Sequence, residues 1–279
     1  KGLSEVRLRI RRDALELSVE ATCLAQDDRK LFGTEDDQSE DEQEDDLAPR
    51  EIEHLPILKA AYARLLSDNQ MPERCLMLNP PILFGHRGAR GHAQENTLES
   101  FELALRLGAT GLETDAWLTR DGIVVLDHDG EVGSRFRRKP ISQVDARDLP
   151  SHIPSLEELC RMSDGVHLSI DVKDPHSFSE LCRVLDSSSR QPDRTWLCHP
   201  DLEYVSQWRP LTSHKLVHST RYAKVAPQFE SHAATLAERK IDVFNMPASE
   251  WTGGLIALYH RFSIACFAWN VQYTEVARP

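Results

Sequence analysis

The sequence has no run of eighteen apolar residues, so no segment reads as a membrane span. It has no basic stripe either, which excludes the electrostatic footprint of a nucleic-acid binder. Its six cysteines, at 23, 75, 160, 182, 198 and 266, include no C-x-x-C pair, so the spacing of a zinc or dithiol redox site is absent. Scattered thiols of this kind fit a reducing compartment, and the expected location is cytoplasmic. No G-x-G-x-x-G or Walker signature opens any strand–helix unit, which removes the usual mark of an open nucleotide-binding sheet. Lys1 rather than Met opens the sequence, so the lack of a charged-then-apolar leader excludes nothing.

What is present is an ordinary globular composition, 40% hydrophobic and 28% charged over 279 residues. The net charge of −12 is concentrated in one place. Positions 35–46 carry nine acidic residues and no basic one, and the rest of the chain is close to neutral. Four regions follow. Residues 1–25 form a strand-like segment in which Val6, Leu8 and Ile10, then Leu15, Leu17 and Val19, alternate with polar residues about a turn near Arg12-Asp13. Residues 26–50 hold the acidic tract and read as a disordered linker, having too little apolar surface to bury. Residues 51–79 read as a helical lead-in, with Ile52, Leu55, Leu58, Tyr62 and Leu65 at helical spacing. Residues 80–279 form the main domain.

In that domain short apolar runs alternate with helical stretches. Strands are predicted over 82–86, 111–117, 123–126, 167–172, 195–198, 215–218, 241–244 and 264–269. Helices are predicted over 97–107, 155–162 and 177–186, with further helical segments between the later strands. Repeated alternation implies a mainly parallel sheet covered by helices, either an open doubly wound sheet or a closed barrel.

Polar residues collect where these strands end. His86 and Arg87 close the first strand, Glu113 and Asp115 share a face of the second, Asp171 and Lys173 share a face further on, and Trp269 and Asn270 end the last. Barrel enzymes build their active sites at that face. If Asp121-Gly122 is a two-residue hairpin loop, Asp115 faces His128 across it; a one-residue slip puts Asp127 and Asp129 on that side instead. Three carboxylates without a cysteine partner form a hard oxygen site for Mg²⁺ or Ca²⁺. Two histidines beside such an ion suit acid–base work on an oxygen leaving group, and Arg87 and Lys173 suit an anionic, phosphate-bearing substrate. The same groups could equally form structural salt bridges at a barrel rim.

The local sequence resembles the glycerophosphodiester phosphodiesterase family. Phe84-Gly85-His86-Arg87-Gly88-Ala89 is similar to its opening motif, and Glu95-Asn96-Thr97 to its E-N-T helix start. Leu112-Glu113-Thr114-Asp115, then Asp121-Gly122 and His128-Asp129, follow in family order, as do Asp171-Val172-Lys173 and Trp269-Asn270-Val271-Gln272. The resemblance implies a TIM-type (β/α)8 barrel that hydrolyses a small-molecule glycerophosphodiester to an alcohol and glycerol 3-phosphate. It implies a divalent metal, Mg²⁺ or Ca²⁺, on Glu113, Asp115 and Asp171, and catalysis by His86 and His128. Arg87 and Lys173 match its phosphate-side cations, and Trp269 matches an aromatic packed on the glycerol. It further implies attack by the substrate's own glycerol hydroxyl, giving a cyclic phosphate that water opens.

Three departures stand out. Gln94 replaces the family's proline, Asp171 replaces a glutamate one methylene longer, and no candidate for the barrel's last strand and helix precedes Pro279. The expectation is thus a barrel truncated before those two elements. The rival readings are a phospholipid-cleaving phosphodiesterase on a similar barrel and a non-catalytic barrel that only binds phosphodiesters.

Overall fold

The structure is a computed structural model that describes residues 4–7, 20–23, 81–134 and 137–271. The acidic linker and the helical lead-in lie outside these residues. Ser4–Arg7 (β1) pairs antiparallel with Glu20–Cys23 (β2), Ser4 opposite Cys23.

The main sheet begins with Phe84–His86 (β3). Helix α1 (Leu98–Arg106) then leads to Gly111–Leu118 (β4), and Val124–Leu126 (β5) folds back antiparallel on it. A short ladder of Glu131–Val132 (β6) with Lys139–Pro140 (β7) follows. Strand–helix alternation then resumes: α2 (Leu156–Met162), His167–Val172 (β8), α3 (Phe178–Ser187), Thr195–His199 (β9), α4 (Leu202–Trp208) and Lys215–Ser219 (β10). The chain continues through α5 (Tyr222–Val225), α6 (Phe229–Glu238), Val243–Pro247 (β11), α7 (Gly253–Arg261) and Ala265–Trp269 (β12).

The strand order β12-β11-β10-β9-β8-β4-β3 is parallel throughout, the arrangement that a strand–helix repeat produces. Helix starts are fixed by side chains. The Thr97 hydroxyl accepts from the Ser100 N–H, and Ser155 with Glu158 closes a capping box.

Two apolar layers result. The larger lies between sheet and helices, with Leu112, Leu168, Ile170, Leu197, Leu216 and Phe244 fully buried against it. The alternate residues of the same strands form a separate inner cluster of Trp196, Cys198, Val217 and Val243, joined by Phe84 and Phe267. Phe84 and Phe267 have ring centroids 5.6 Å apart although they stand on the two end strands of the order. The sheet is therefore curled into a partial TIM-type barrel with a filled lumen. Among the described residues β3 and β12 are not hydrogen-bonded to each other.

One polar chain crosses the helix side of this sheet. His218 donates from Nε2 to the Pro200 carbonyl (3.1 Å) and accepts at Nδ1 from His232 Nε2 (2.9 Å), and His232 Nδ1 accepts from the Tyr259 hydroxyl (2.7 Å). Only neutral imidazoles satisfy that order of donors and acceptors. Burial lowers His218 to about 4 and His232, helped by its neighbour, to about 3, against an ordinary value of 6.5.

Because both folded values lie below the unfolded one, this contribution to stability is complete above about pH 6.5 and is lost as the pH falls through about 4 for His218 and about 3 for His232. Urea midpoints measured across that range should fall steeply for the native protein. They should fall less steeply for His232→Gln, which cannot titrate there; an equal pH dependence would contradict the neutral chain.

Candidate active site

Parallel pairing between β4 and β8 sets Asp115 directly opposite Asp171, and Glu113 lies two residues earlier on the same face. Pairing of β3 with β4 puts His86 opposite Glu113. One carboxylate oxygen from each of Glu113, Asp115 and Asp171 lies within 4.8 Å of the other two. His86 Nε2 is 3.7 Å from Glu113 Oε2.

Burial drives the Glu113 carboxyl well above its ordinary range, and Asp171 and Asp115 push it further. Asp171 is raised as well, first by desolvation and then by Asp115, with Lys173 opposing. Lys173 reaches both neighbours, with Nζ 2.9 Å from Asp115 Oδ1 and 3.4 Å from Asp171 Oδ2. Desolvation works against the charged amine, yet Asp171 and Asp115 outweigh it and its pKa is raised. His86 is lowered to about 4, first by desolvation and then by Arg87 and Arg90, which leaves a neutral imidazole beside the acids near pH 7.

Arg87 organises the turn that follows β3. It adopts a left-handed φ of 53°, and its backbone N–H donates to Glu113 Oε2 at 2.9 Å. Its Nη1 lies 3.0 and 3.1 Å from the two oxygens of Glu95, and its Nε is 3.4 Å from Asp115 Oδ2. Gly88 makes the tight turn possible. It has φ +79°, and a Cβ there would stand 2.6 Å from the Ser100 carbonyl carbon.

Asn96, 3% exposed and at φ 54°, donates from Nδ2 to Asp115 Oδ2 (3.1 Å) while its Oδ1 accepts from Thr114 (2.8 Å). Sequence reasoning assigned no role to Glu95 or Asn96. The signal was present: an Asn just before the helix-capping Thr97 is a residue type that tolerates the left-handed conformation.

The hairpin register corrects one expectation. Ala116 pairs with Leu126 and Leu118 with Val124, so Asp115 faces Asp127, whose N–H donates to the Asp115 carbonyl at 3.1 Å, and not His128. The loop has three residues rather than two. The Thr119 N–H donates to the Ile123 carbonyl, the Thr119 hydroxyl bonds both Asp121 and the Ile123 N–H, and Gly122 takes φ +81°. His128 follows β5, and its Nδ1 is 2.9 Å from Asp129 Oδ1. The Asp127 carboxylate is held by the Gly130 N–H at 2.8 Å.

Trp269 ends β12 beneath the Arg221 guanidinium, 5.1 Å from the ring centre. A cavity of about 250 Å³ opens beside the carboxylates, lined by residues including Asp171, Lys173, Cys198, His199 and Ser219.

Three converging carboxylates offer only hard oxygen donors, and crowded anions with raised pKa values favour a bound cation. The residues present therefore fit a divalent ion. With Lys173 and Arg87 alongside, the arrangement can receive an anionic ester, and His86 can accept a proton.

The model of the Glycerophosphoryl diester phosphodiesterase family matches residues 86–276. Glycerophosphodiester phosphodiesterase domain-containing protein 4 of Mus musculus is 55% identical over 49 residues, 18% of this chain and 8% of its own length. Lysophospholipase D GDPD3 of Mus musculus is 38% identical over 79 residues, 28% of this chain and 24% of its own length. The matched segments thus span less than a quarter of these two curated relatives.

Among solved structures, the glycerophosphodiester phosphodiesterase of Thermotoga maritima aligns with a TM-score of 0.59 at 23% identity, over 71% of this chain and 90% of that one. An Oleispira antarctica phosphodiesterase in complex with the product sn-glycerol-3-phosphate aligns with a TM-score of 0.60 at 19% identity, over 69% and 85%. At these identities the likeness to the solved structures is one of fold.

Asn96→Ala removes two buried hydrogen bonds and puts alanine at a left-handed position, so it should cost about 2–4 kcal/mol of stability. Thr114→Val removes only one of those bonds and should cost about 1 kcal/mol. Urea unfolding of the two variants checks the order; equal losses would mean that Asn96 does not tie the carboxylate strand to the turn.

Proposed function

The chain belongs to the Glycerophosphoryl diester phosphodiesterase family, and from that premise we propose that it hydrolyses glycerophosphodiesters to an alcohol and glycerol 3-phosphate. The observation that carries this reading is the trio Glu113, Asp115 and Asp171 drawn together on adjacent parallel strands, with His86 beside Glu113. The product complex of the Oleispira antarctica neighbour supports the same substrate class.

In this reading Glu113, Asp115 and Asp171 hold Mg²⁺ or Ca²⁺, which when bound stabilises charge on the phosphoryl oxygens. Asp171 is one methylene shorter than the glutamate it replaces, so its oxygen reaches less far into the site. Lys173 and Arg87 add positive charge on the phosphate side, and Arg87 is kept in place by Glu95.

His86 is neutral near pH 7 and accepts the proton of the attacking glycerol hydroxyl; His128 donates one to the leaving alkoxide. Trp269 packs on the glycerol. Cys160, Cys182, Cys198 and Cys266 are free thiols, three of them buried, which fits a reducing cytoplasmic setting. No helix of the described residues is long and apolar enough to cross a membrane.

Release of glycerol 3-phosphate from glycerophosphodiesters should stop with a chelator and return with Mg²⁺ or Ca²⁺. Asp171→Glu should retain activity and Asp171→Ala should lose it. Full turnover by metal-stripped protein in excess EDTA would sink the three-carboxylate site.

The two histidines separate by leaving group. Loss of the proton donor should slow an alkoxide diester on the order of 10²–10⁴-fold. A nitrophenyl ester leaves unaided, so it should largely rescue His128→Ala and leave His86→Ala slow. Rescue of His86→Ala instead reverses the assignment.

A further inference from the structure

The cavity beside the carboxylates continues away from Asp171 and Lys173 towards Ser219, at the end of β10. Ser219 is opposite Asn245 in the parallel register of β10 and β11, and Asn245 is opposite Phe267 of β12. Val243, two residues before Asn245 on the same face, belongs to the inner cluster of the curled sheet, as does Phe267. Asn245 therefore stands one layer above the filled lumen, on the carboxylate side of the barrel. Neither residue takes part in the proton transfers proposed above.

The hydrogen bonds of this pair are incomplete in a particular way. Asn245 Nδ2 donates to Ser219 Oγ at 3.0 Å, which occupies the serine as an acceptor and leaves its O–H free to donate. Asn245 Oδ1 is buried and has no partner. A buried carbonyl oxygen without a donor is costly, and such atoms in folded proteins call for an explanation. Two residues beyond Phe267, the Trp269 indole N–H is also buried and unpartnered. One free acceptor and two free donors thus lie near the C-terminal ends of three neighbouring strands. Together they complement a group that both gives and takes hydrogen bonds, as an alcohol hydroxyl does.

We propose that Ser219 and Asn245, flanked by Trp269, form a hydroxyl-reading subsite that binds the polyol arm of the phosphodiester while its phosphate occupies the Lys173 side of the cleft. The proposal rests on the phosphodiesterase reading above and adds its specificity determinant. Glycerol and a polyol headgroup share the chemistry that the pair recognises. A site built to hydrogen-bond a hydroxyl discriminates against the analogue that lacks it, because its own buried groups are then left unpaired.

The test uses the full chain with Mg²⁺ present, and its first arm needs no turnover. Calorimetry compares sn-glycerol 3-phosphate with propane-1,2-diol 1-phosphate, which lacks the hydroxyl farthest from phosphorus. The native protein should prefer the first by about tenfold, and Asn245→Ala and Ser219→Ala should bring the preference to within about twofold. Each ratio is taken within one protein, so a variant that merely folds less completely lowers both affinities and leaves the ratio intact.

A second arm compares kcat/KM for glycerophosphodiesters carrying glycerol or choline as headgroup. Collapse of the product-binding ratio assigns the subsite to the glycerol moiety, and collapse of the headgroup ratio alone assigns it to the polyol headgroup. Ratios unchanged in both arms and both variants overturn the proposal, as does failure of the native protein to bind either phosphate ester. Absent turnover with an Asn245-dependent binding ratio would support the subsite and contradict only the catalytic reading.

Discussion

Three carboxylates held within 4.8 Å of one another repel, and the surroundings of the site answer that repulsion. At an effective dielectric constant near 20, unit charges at such a distance oppose each other by roughly 3–4 kcal/mol per pair. The chain brings Lys173 against Asp115 and Asp171, an amide hydrogen of Asn96 to Asp115, and the Arg87 backbone N–H to Glu113. Even so the carboxyls of Glu113 and Asp171 remain raised. A cluster that keeps its acids reluctant to ionise, with cations fixed at its edge, is poised for a further positive charge at its centre.

Register sets the acids themselves, and the turn after β3 adds Arg87 and Asn96. Parallel strands place Asp115 opposite Asp171 and His86 opposite Glu113 without any contribution from loop conformation. Alternation then assigns the faces. Leu112, Thr114 and Ala116 point to the helix side, and the acids between them point to the mouth. The inner cluster around Trp196 and Phe267 fills the lumen below, so the polar residues lie on a packed floor rather than over a channel.

Much of this was legible in the sequence because periodicity is local. The strand predicted over 167–172 is His167–Val172, and the helix predicted over 97–107 is Leu98–Arg106 behind its Thr97 cap. The pairs Glu113/Asp115 and Asp171/Lys173 were readable as shared faces for the same reason. The strand predicted over 241–244 is instead Val243–Pro247. Ile241 closes the preceding helix, and Asp242 is spent on Arg209, Lys215 and the Leu216 N–H. The hairpin loop is closed by the Ile123 N–H donating to the Thr119 hydroxyl, which an Asp-Gly signal does not reveal. Asn96 and Asn245 act through partners 18 and 26 positions away in sequence, beyond the reach of any local pattern.

The central claim is that these three carboxylates, already partnered by Lys173, still form a cation site. Calorimetric titration of the metal-free protein with Mn²⁺, which prefers the same oxygen donors and reports its environment by electron paramagnetic resonance, addresses it directly. The account predicts one saturable ion per chain, with binding weakened at least about tenfold in Glu113→Gln and a resonance signal distinct from that of the free ion. Absence of saturable binding, or equal binding by the native protein and Glu113→Gln, would show that Lys173 alone neutralises the acids and would contradict the account.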